Sequence, residues 1–242
     1  HSLSEFAELD THNLEQVNER VYHLHNDNGT FFLKLIPDDD PNGLNEIRIN
    51  QEILTKANIP APQLIFVSKT EKATLACWEY LDGLDLRYYH RDLLPKAFSK
   101  LGEFHTAQRH NKFVNSPITH QAFATIDEML AAEVEFLCSF NNNSAKAQCE
   151  SIFSQLNAGY PTFIHGDMHP GNIFSAPKEL KFVDWSDCIS SLNLFDLDYI
   201  QSIPLQSSEI PWWVIVPAEA EEILPVYFEA CGLGGLNYKE IH

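Results

Sequence analysis

The sequence contains no long apolar run, no paired-cysteine motif and few basic residues. Its longest apolar stretches, such as WWVIV at residues 212–216, are far too short to cross a bilayer. Five scattered cysteines form no CxxC pattern, which argues against a disulfide framework or a zinc site and favours reduced thiols in a cytoplasm. No charged segment followed by an apolar segment opens the chain, so no secretory signal is predicted and a cytoplasmic location is expected.

The scarcity of basic side chains bears on the partners of the protein. Sixteen lysines and arginines against 34 aspartates and glutamates give a formal net charge of -18. Such a chain repels the phosphates of nucleic acids and anionic membranes, and the basic residues form no compensating patch. We therefore expect neither a nucleic acid nor a membrane as partner. The acidity is compatible with a cationic small substrate, although solubility alone is the simpler explanation.

The first eighty residues are rich in strand signals. Two apolar runs flank the turn-forming NDNG at residues 26–29, and a second pair flanks SKTEK at residues 68–72, so each predicts a β-hairpin. Between them, the apolar spacing over residues 45–59 predicts an amphipathic helix. The PAP at residues 60–62 ends this helix because proline cannot continue its hydrogen-bond ladder.

The remainder of the chain is mostly helical in pattern. Residues 91–110 and 124–140 have the apolar period of helices, and the polar sequence around residues 141–146 is predicted to link helices. No internal repeat or low-complexity segment is present. We predict an α+β protein with a small β-rich N-terminal lobe, residues 1–81, and a larger α-rich C-terminal lobe, residues 82–242.

A polar motif, HGDMHPGN at residues 165–172, carries the chemistry. Asp167 and Asn172 are separated by the interval found in the kinase catalytic loop, and Asp184 follows at the end of an apolar strand, where kinases place a metal-binding aspartate. One carboxylate must accept or orient the proton of the acceptor hydroxyl. An amide oxygen and a second carboxylate can hold magnesium, which prefers hard oxygen ligands, against the phosphates of ATP.

A lone lysine lies upstream in the apolar strand FFLKLI. Lys34 shares a strand face with Phe32 and Ile36, and an ammonium there is costly unless it reaches an anion. Kinases use such a lysine to bind the α- and β-phosphates and hold it with a helix glutamate. Glu46 is the first candidate for that glutamate and Glu52 the second. Taken alone, Lys34 could equally be a solubilising residue of an edge strand.

With these motifs, the sequence resembles the aminoglycoside phosphotransferase and choline kinase superfamily of small-molecule kinases. HGDMHPGN is similar to its HGDxHxxN loop, FVDWSDC resembles its IDWE-type metal motif, and LFDLDY resembles the FDLA-type segment that follows. NEIRINQEILTKANIPAP resembles the choline kinase-like glutamate helix, which favours Glu46. WEYLDGLDL resembles the hinge that meets adenine.

The resemblance implies a bilobal protein-kinase-like fold and transfer of the ATP γ-phosphoryl group to a hydroxyl of a small metabolite or drug. The acidic balance and the aromatic residues near the C-terminus favour an amine-bearing acceptor, choline-like or aminoglycoside; no oligomeric state is predicted. The implied roles are a catalytic base (Asp167), magnesium ligands (Asn172 and Asp184), a phosphate clamp (Lys34 with Glu46), adenine contacts near Glu79 and Leu81, and a buried brace for the catalytic loop (Asp196).

The sequence departs from the family pattern in two places. QVNERVYHL, between the first two expected strands, has no glycine, so a glycine-rich phosphate cover is absent, although Asn18 could supply turn geometry. Ser186 stands where many relatives have glutamate, and Asp187 is assigned no role. The missing glycines motivate a second hypothesis, a nucleotide-binding regulator with a kinase fold and no catalysis. A protein kinase is disfavoured because no APE segment follows Asp184.

Other interpretations of single residues remain open. His165, Asp167 and His169 form an H-x-D-x-H pattern that could chelate a transition metal in a hydrolase, but this leaves Asn172 and Lys34 unexplained. We expect His165 and His105 to be structural.

Aromatic and acidic residues near the C-terminus could also contact a substrate. Trp212 and Trp213, with Tyr199, could form an aromatic wall for a quaternary ammonium, but neighbouring side chains point in different directions, so packing or a lid is preferred. The acidic residues 219, 221 and 222 are expected on a solvated helix face, where they could also meet an amine.

Overall fold

The structure is a computed structural model. It describes residues 14–57, 59–109, 114–116, 121–140, 159–176, 179–200 and 211–234. The chain divides into two compact units: the described residues up to Leu84 with Phe174–Asp187, and Asp85–Ile173 with the described residues from Cys188 onward. We predicted a division after residue 81; the first unit extends to Leu84 and also takes in a later segment that the sequence assigned to the second lobe. The predicted linker at residues 141–146 lies outside the described residues.

An antiparallel sheet forms most of the first unit. Its five strands lie in the order β1-β2-β3-β5-β4, and both predicted hairpins, β2–β3 and β4–β5, are present. The strands are β1 (Leu14–Gln16), β2 (Val21–Asn26), β3 (Gly29–Pro37), β4 (Leu64–Lys69) and β5 (Ala73–Glu79).

The two faces of the sheet pack differently because side chains alternate along each strand. Leu33 and Leu35 of β3 enter one apolar cluster, whereas Ile36 enters another with Ile47 and Trp78. Lys34 lies on the second face, and its cross-strand neighbours are Val21 and Ala76.

Helix α1, Pro41–Ile49, covers that second face. The carboxylate of Asp40 caps its first turn by accepting a hydrogen bond from Gly43 N, 3.0 Å away, and Pro41 starts the helix with its preset backbone angle. The helix continues through a π turn, Asn50–Leu54, into a single turn α2, Thr55–Ala57. The predicted helix is therefore present, but it is widened at its centre.

The later segment of the first unit docks against α1. Strands β10 (Ile173–Ser175) and β11 (Leu180–Phe182) are adjacent, and a 3-10 turn follows at Trp185–Asp187. Asn45 Nδ2 donates to Ser186 O at 3.0 Å, and Asn42 Nδ2 donates to Asp187 Oδ1 at 3.0 Å. These amides fix the turn, and therefore Asp184, beside the helix that carries Glu46.

The second unit is built mainly on helices. Helices α3 and α5 pack on each other, β9 pairs with β12 and β7 with β8. The described elements are β6 (Leu84–Asp85, which begins in the first unit), α3 (Leu94–Ala107), β7 (Val114–Asn115), β8 (Ala122–Phe123), α4 (Ile126–Phe140), β9 (Pro161–Ile164), β12 (Ile189–Leu192) and α5 (Pro217–Ala230), with 3-10 turns at Arg91–Leu93, Pro170–Asn172 and Asn193–Leu197. Within the described residues, no helix is both long and apolar enough to span a membrane.

An ion pair anchors the start of α3 to α5. Arg91 meets the Glu219 carboxylate with two hydrogen bonds of 2.6 Å and also donates to the carbonyl oxygens of Trp212 and Val214. The prediction of a solvated face is therefore wrong for Glu219, although Glu221 and Glu222 are exposed. Because its carboxylate is already held by a guanidinium, Glu219 is a poor candidate for an amine substrate.

Helix α4 contains a buried carboxyl group. The side chain of Glu133 is fully buried, and neither oxygen has a well-formed hydrogen bond to a described residue. Burial raises the pKa of Glu133, and the nearby Ser116 hydroxyl offsets this only in part. Ionisation of this group in the folded state is therefore unfavourable.

We expect Glu133→Gln to stabilise the protein, and more so at high pH. Below the unfolded glutamate pKa of about 4.3, the buried Glu133 costs the wild type little stability. Because the pKa of Glu133 is raised in the folded state, the wild type loses stability as the pH rises through that folded pKa. Urea unfolding should show a gain of about 1–3 kcal/mol at pH 8 and a smaller gain at pH 5.5. The exposed Glu135 of the same helix supplies the control, Glu135→Gln. An equal effect of Glu133→Gln at both pH values would contradict a raised pKa of Glu133 in the folded state.

Candidate active site

Lys34 lies between two carboxylates in the first unit. Its Nζ is 2.8 Å from Glu46 Oε2 and 3.7 Å from Asp184 Oδ1. Glu52 instead meets Arg48 at the exposed side of the helix, at 3.4 Å. Of the two glutamates considered from the sequence, Glu46 is therefore the one that contacts the lysine.

The charges of this cluster do not balance. Burial raises the pKa of Glu46, opposed by the Lys34 ammonium. Burial alone would lower the pKa of Lys34, but the carboxylates of Glu46 and Asp184 outweigh it and raise that pKa. Two carboxylates around one ammonium leave a surplus of negative charge, which a divalent cation would neutralise.

Asp184 has an unusual backbone conformation. Its φ is 60°, in the left-handed region that aspartate tolerates better than most residues. The side chain is half-exposed, and Ser186 Oγ donates to its Oδ1 at 3.1 Å. The turn after β11 thus presents one carboxylate to Lys34 and to solvent together.

An ion pair holds the side chain of Glu79, a residue of the predicted hinge. Lys181 Nζ donates to both carboxylate oxygens of Glu79, at 2.9 and 2.6 Å, and Glu79 N donates to Gln63 O at 2.9 Å. The carboxylate and the backbone N–H of Glu79 are therefore both engaged. Leu81, two residues on, is half-buried.

In the second unit, Asp196 supports the loop that carries Asp167. The buried carboxylate accepts hydrogen bonds from His165 N and Gly166 N, both at 2.8 Å, and from His105 Nε2 at 3.0 Å. Gly166 has a φ of 85°, which favours glycine at this turn. The loop backbone is therefore fixed by one side chain from the LFDLDY segment.

His105 is a charged partner of Asp196. Its Nδ1 lies 2.9 Å from the hydroxyl of Tyr227, and that hydroxyl donates to Asn193 O, so Nδ1 must donate to it. Burial works against a charged imidazole, but the hydrogen bond and charge of Asp196 outweigh it and raise the pKa of His105. Both ring nitrogens donate, and the residue is structural, as the sequence predicted.

Asp167 is surrounded by hydrogen-bond donors. Tyr199 Oη donates to its Oδ1 at 2.5 Å, and Asn172 Nδ2 donates to its Oδ2 at 3.1 Å. His169 Nδ1 accepts from Gly171 N, so its Nε2 carries the hydrogen and faces Asp167 Oδ2 at 3.5 Å. His169 first, and then Tyr199, hold the pKa of Asp167 well below its usual range despite partial burial. Asp167 is consequently ionised near neutral pH.

Asn172 is oriented by the same loop. Its Nδ2 also donates to Asp167 O at 2.8 Å, so both of its hydrogen bonds to Asp167 use the amide nitrogen. Among the described residues, its Oδ1 has no hydrogen-bond partner. The amide thus keeps a hard oxygen ligand available.

A family comparison identifies this set of motifs. Residues 13–209 match the model of the phosphotransferase enzyme family. The chain belongs to this family. The superfamily resemblance predicted from the motifs is thereby confirmed. None of the curated proteins compared matches the chain.

Solved structures share the fold of this family member. An aminoglycoside phosphotransferase from Streptomyces rimosus, in complex with ADP and streptomycin, is 15% identical with a TM-score of 0.56, over 99% of this chain and 92% of its own. A choline/ethanolamine kinase family protein from Mesorhizobium loti is 16% identical with a TM-score of 0.56, over 93% and 74%. An aminoglycoside-3'-phosphotransferase of type VIII is 17% identical with a TM-score of 0.55, over 94% and 89%. The predicted kinase-like α+β fold is confirmed.

The aromatic residues of this phosphotransferase pack beside the loop. Trp212 meets the ring of His169 edge-on at 5.0 Å, and Arg87 Cζ lies 5.1 Å from the Trp212 ring centroid. A Cβ on Gly171 would come within 2.7 Å of Trp212, so glycine permits this close approach. Trp213 is 42% exposed. One face of the Trp212 ring is therefore already occupied by a cation, the Arg87 guanidinium.

Sequence reasoning missed two contacts at these residues. Tyr199 was considered only as part of an aromatic wall, although it donates the shortest hydrogen bond to Asp167. The pair of Lys181 and Glu79 was not considered at all. Neither has a local signal, because each joins residues far apart in the chain.

We expect Asp196→Asn to destabilise the protein by about 3 kcal/mol, the typical cost of removing one partner from a buried ion pair. The change removes the charge that compensates His105 and weakens the acceptor of two backbone N–H groups. Chemical unfolding at pH 7 measures the loss. The neighbouring Asp198→Asn should cause no comparable loss, because burial and then the like-charged Asp196 raise the pKa of Asp198 to about 7, so its charge does not stabilise the fold. Equal stability of Asp196→Asn and the wild type would show that the brace contributes nothing.

Proposed function

We propose that this phosphotransferase transfers the γ-phosphoryl group of ATP to a hydroxyl of a small molecule. The observation that carries the proposal is the ammonium of Lys34, held by Glu46 and Asp184 on a half-buried sheet face. A fixed ammonium of this kind suits an anionic phosphate chain, and catalysis of phosphoryl transfer rests on such positioning and charge.

The face of the sheet next to Lys34 supports a place for the adenine base. Phe32 lies two residues before Lys34 on the same face, and its ring is 6.4 Å from Trp78 and from His23. Tyr80 meets His23 edge-on at 5.0 Å. We propose that the base stacks in this aromatic neighbourhood and meets backbone groups of Glu79 and Leu81, while Lys34 binds the α- and β-phosphates.

The donor set fits a magnesium ion. Asp184 offers a half-exposed carboxylate in a cluster with surplus negative charge, and Asn172 offers an amide oxygen. We propose these two residues as magnesium ligands. When bound, the ion would neutralise charge on the β- and γ-phosphates.

Asp167 would act on the acceptor hydroxyl. Its lowered pKa keeps it ionised and makes it a weak base, so it suits orienting the hydroxyl and accepting its proton late in the transfer. Tyr199 donates a hydrogen bond to Oδ1 of this carboxylate and thereby fixes its orientation. Asp167 is the proposed catalytic residue, and Tyr199 is a positioning residue.

For the acceptor we propose an amine-bearing alcohol. The support is the net charge of -18 and a family whose solved relatives include one with streptomycin bound and one named for choline and ethanolamine. We also propose a cytoplasmic location, because Cys77, Cys188 and Cys231 are buried and unbridged.

The test is incubation of the protein with magnesium-ATP and a panel of amino alcohols, aminoglycosides and neutral sugars, with phosphorylated products detected by mass spectrometry. We expect at least one amine-bearing product. Asp167→Asn and Asp184→Asn should each reduce turnover about 100-fold or more. Asparagine at 184 tolerates the left-handed backbone, so that variant isolates the charge. Full turnover by either variant would refute its assigned role.

A second candidate function is a nucleotide-binding regulator without catalysis. In the glycine-free link at residues 17–20, Asn18 Oδ1 accepts from Arg20 N, and the N–H groups of Val17 and Asn18 both donate to Val21 O. These three N–H groups are therefore engaged and unavailable to phosphates. Thermal stabilisation by ATP that needs no magnesium, with no product from any acceptor, would favour the regulator.

Tyr199→Phe should shift the acid limb of the pH profile upward. Loss of the phenol hydrogen bond raises the pKa of Asp167, because this bond stabilises the carboxylate. The measurement is kcat/KM against pH for the acceptor found in the panel. The exposed Tyr88 gives a matched control, Tyr88→Phe. An unchanged acid limb in Tyr199→Phe would show that this bond does not tune Asp167.

A further inference from the structure

The first two strands carry three potential metal ligands, of which His23 also borders the aromatic neighbourhood proposed for the adenine base. Glu15 on β1 and His23 on β2 are directly paired across the antiparallel ladder, and His25 follows two residues later on the same face. One ligand atom from each residue, a carboxylate oxygen or an imidazole nitrogen, lies within 4.8 Å of the other two. Strand register alone therefore gathers these side chains.

We propose that Glu15, His23 and His25 form a binding site for a divalent transition metal ion of the zinc class. Two imidazoles with one carboxylate are the donors that such borderline ions prefer, whereas magnesium prefers oxygen alone. Ligand atoms at bonding distance from one tetrahedral zinc lie roughly 3.4 Å apart. Small side-chain rotations would close the observed group around an ion.

His25 is already oriented for this role. Its Nδ1 is 3.1 Å from Thr30 Oγ1, and its Nε2 is 3.6 Å from Glu15 Oε2. When Nδ1–H donates to the Thr30 hydroxyl, the lone pair of Nε2 faces the carboxylate, which is the arrangement of a metal-binding histidine with its outer hydrogen bond. Thr30 is the direct cross-strand partner of His25, so the register fixes this contact too.

His23 is held by aromatic neighbours. Its ring meets Tyr80 edge-on at 5.0 Å and lies 6.4 Å from Phe32. This half-buried packing restricts the imidazole, while Glu15 and His25 are exposed. The site thus has one anchored ligand and two that can adjust, and an exposed side where water or an outside ligand can complete the coordination.

Metal binding would reinforce the edge of the sheet. β1 has only three residues and pairs, among the described strands, with β2 alone. An ion that bridges Glu15 to the two histidines adds a cross-link between these strands, next to the glycine-free link. An ion bound by the folded state alone raises stability in proportion to its free concentration over Kd. The site shares His23 with the neighbourhood proposed for the adenine base, and its other two ligands take no part in the proposed phosphoryl transfer.

The test is calorimetric titration of the untagged, chelator-treated full chain with zinc chloride in excess magnesium. The wild type should bind one equivalent of zinc. His23→Ala and His25→Ala should abolish this binding or weaken it at least tenfold, and Glu15→Gln should also weaken it. His90→Asn is the matched control: His90 is exposed and its φ of 57° suits asparagine, so zinc binding should be unchanged. Identical stoichiometry and affinity in the wild type and both histidine variants would overturn the proposal.

A second measurement covers variants that fail to fold. Cobalt is added to the wild-type protein, and its imidazole proton resonances are followed by NMR. Paramagnetic shifts or broadening of the His23 and His25 ring protons at the first equivalent are expected. If the ring-proton resonances of both histidines are unperturbed at the first equivalent of cobalt, Glu15 and His25 form only a surface ion pair and the proposed metal site is wrong.

Discussion

One buried carboxylate, that of Asp196, sets the geometry of the loop on which the proposed chemistry depends. Removing a charge from water costs several kcal/mol unless it is paired and hydrogen-bonded. Asp196 meets this requirement through two backbone N–H groups and the imidazolium of His105. His105 in turn donates to Tyr227, so the loop is tied to both α3 and α5. The orientation of Asp167 therefore rests on helix packing remote from it.

The first unit shows the opposite condition, a cluster whose charge is not balanced. Lys34 donates to Glu46 at 2.8 Å and faces Asp184 at 3.7 Å, so two carboxylates surround a single ammonium. A divalent cation with oxygen ligands would neutralise this surplus charge. The left-handed backbone of Asp184 fits this interpretation, because unfavourable conformations concentrate at binding sites. The proposed phosphate clamp and the proposed magnesium ligand Asp184 are therefore neighbours in the first unit.

Much of the fold could be predicted because its signals are local. NDNG between alternating apolar residues predicts a hairpin, and the register of that hairpin places Phe32 and Lys34 on one face. Helical periodicity predicts the helix but not the π turn that follows α1 at Asn50–Leu54, because a few apolar positions do not distinguish one wider turn. The later segment that joins the first unit was missed because its docking depends on Asn42 and Asn45, which carry no local signature.

The candidate site was predictable where family motifs cover it and not elsewhere. HGDMHPGN and FVDW indicated Asp167, Asn172 and Asp184, and the resemblance of the following helix to the choline kinase-like form favoured Glu46 over Glu52. The donor from Tyr199 and the ion pair of Arg91 with Glu219 required the folded chain, because each partner is distant in sequence. The mistaken expectation for Glu219 has the same cause: an acidic helix face looks solvated until its arginine is located.

The most direct measurement is a crystal structure of the protein with magnesium and a non-hydrolysable ATP analogue. Lys34 Nζ should then lie within hydrogen-bonding distance of an α- or β-phosphate oxygen. Asn172 Oδ1 and an Asp184 carboxylate oxygen should each lie about 2.1 Å from one magnesium ion. A nucleotide bound with Lys34 still confined to Glu46, or a magnesium ion touching neither Asn172 nor Asp184, would contradict the proposed phosphoryl transfer.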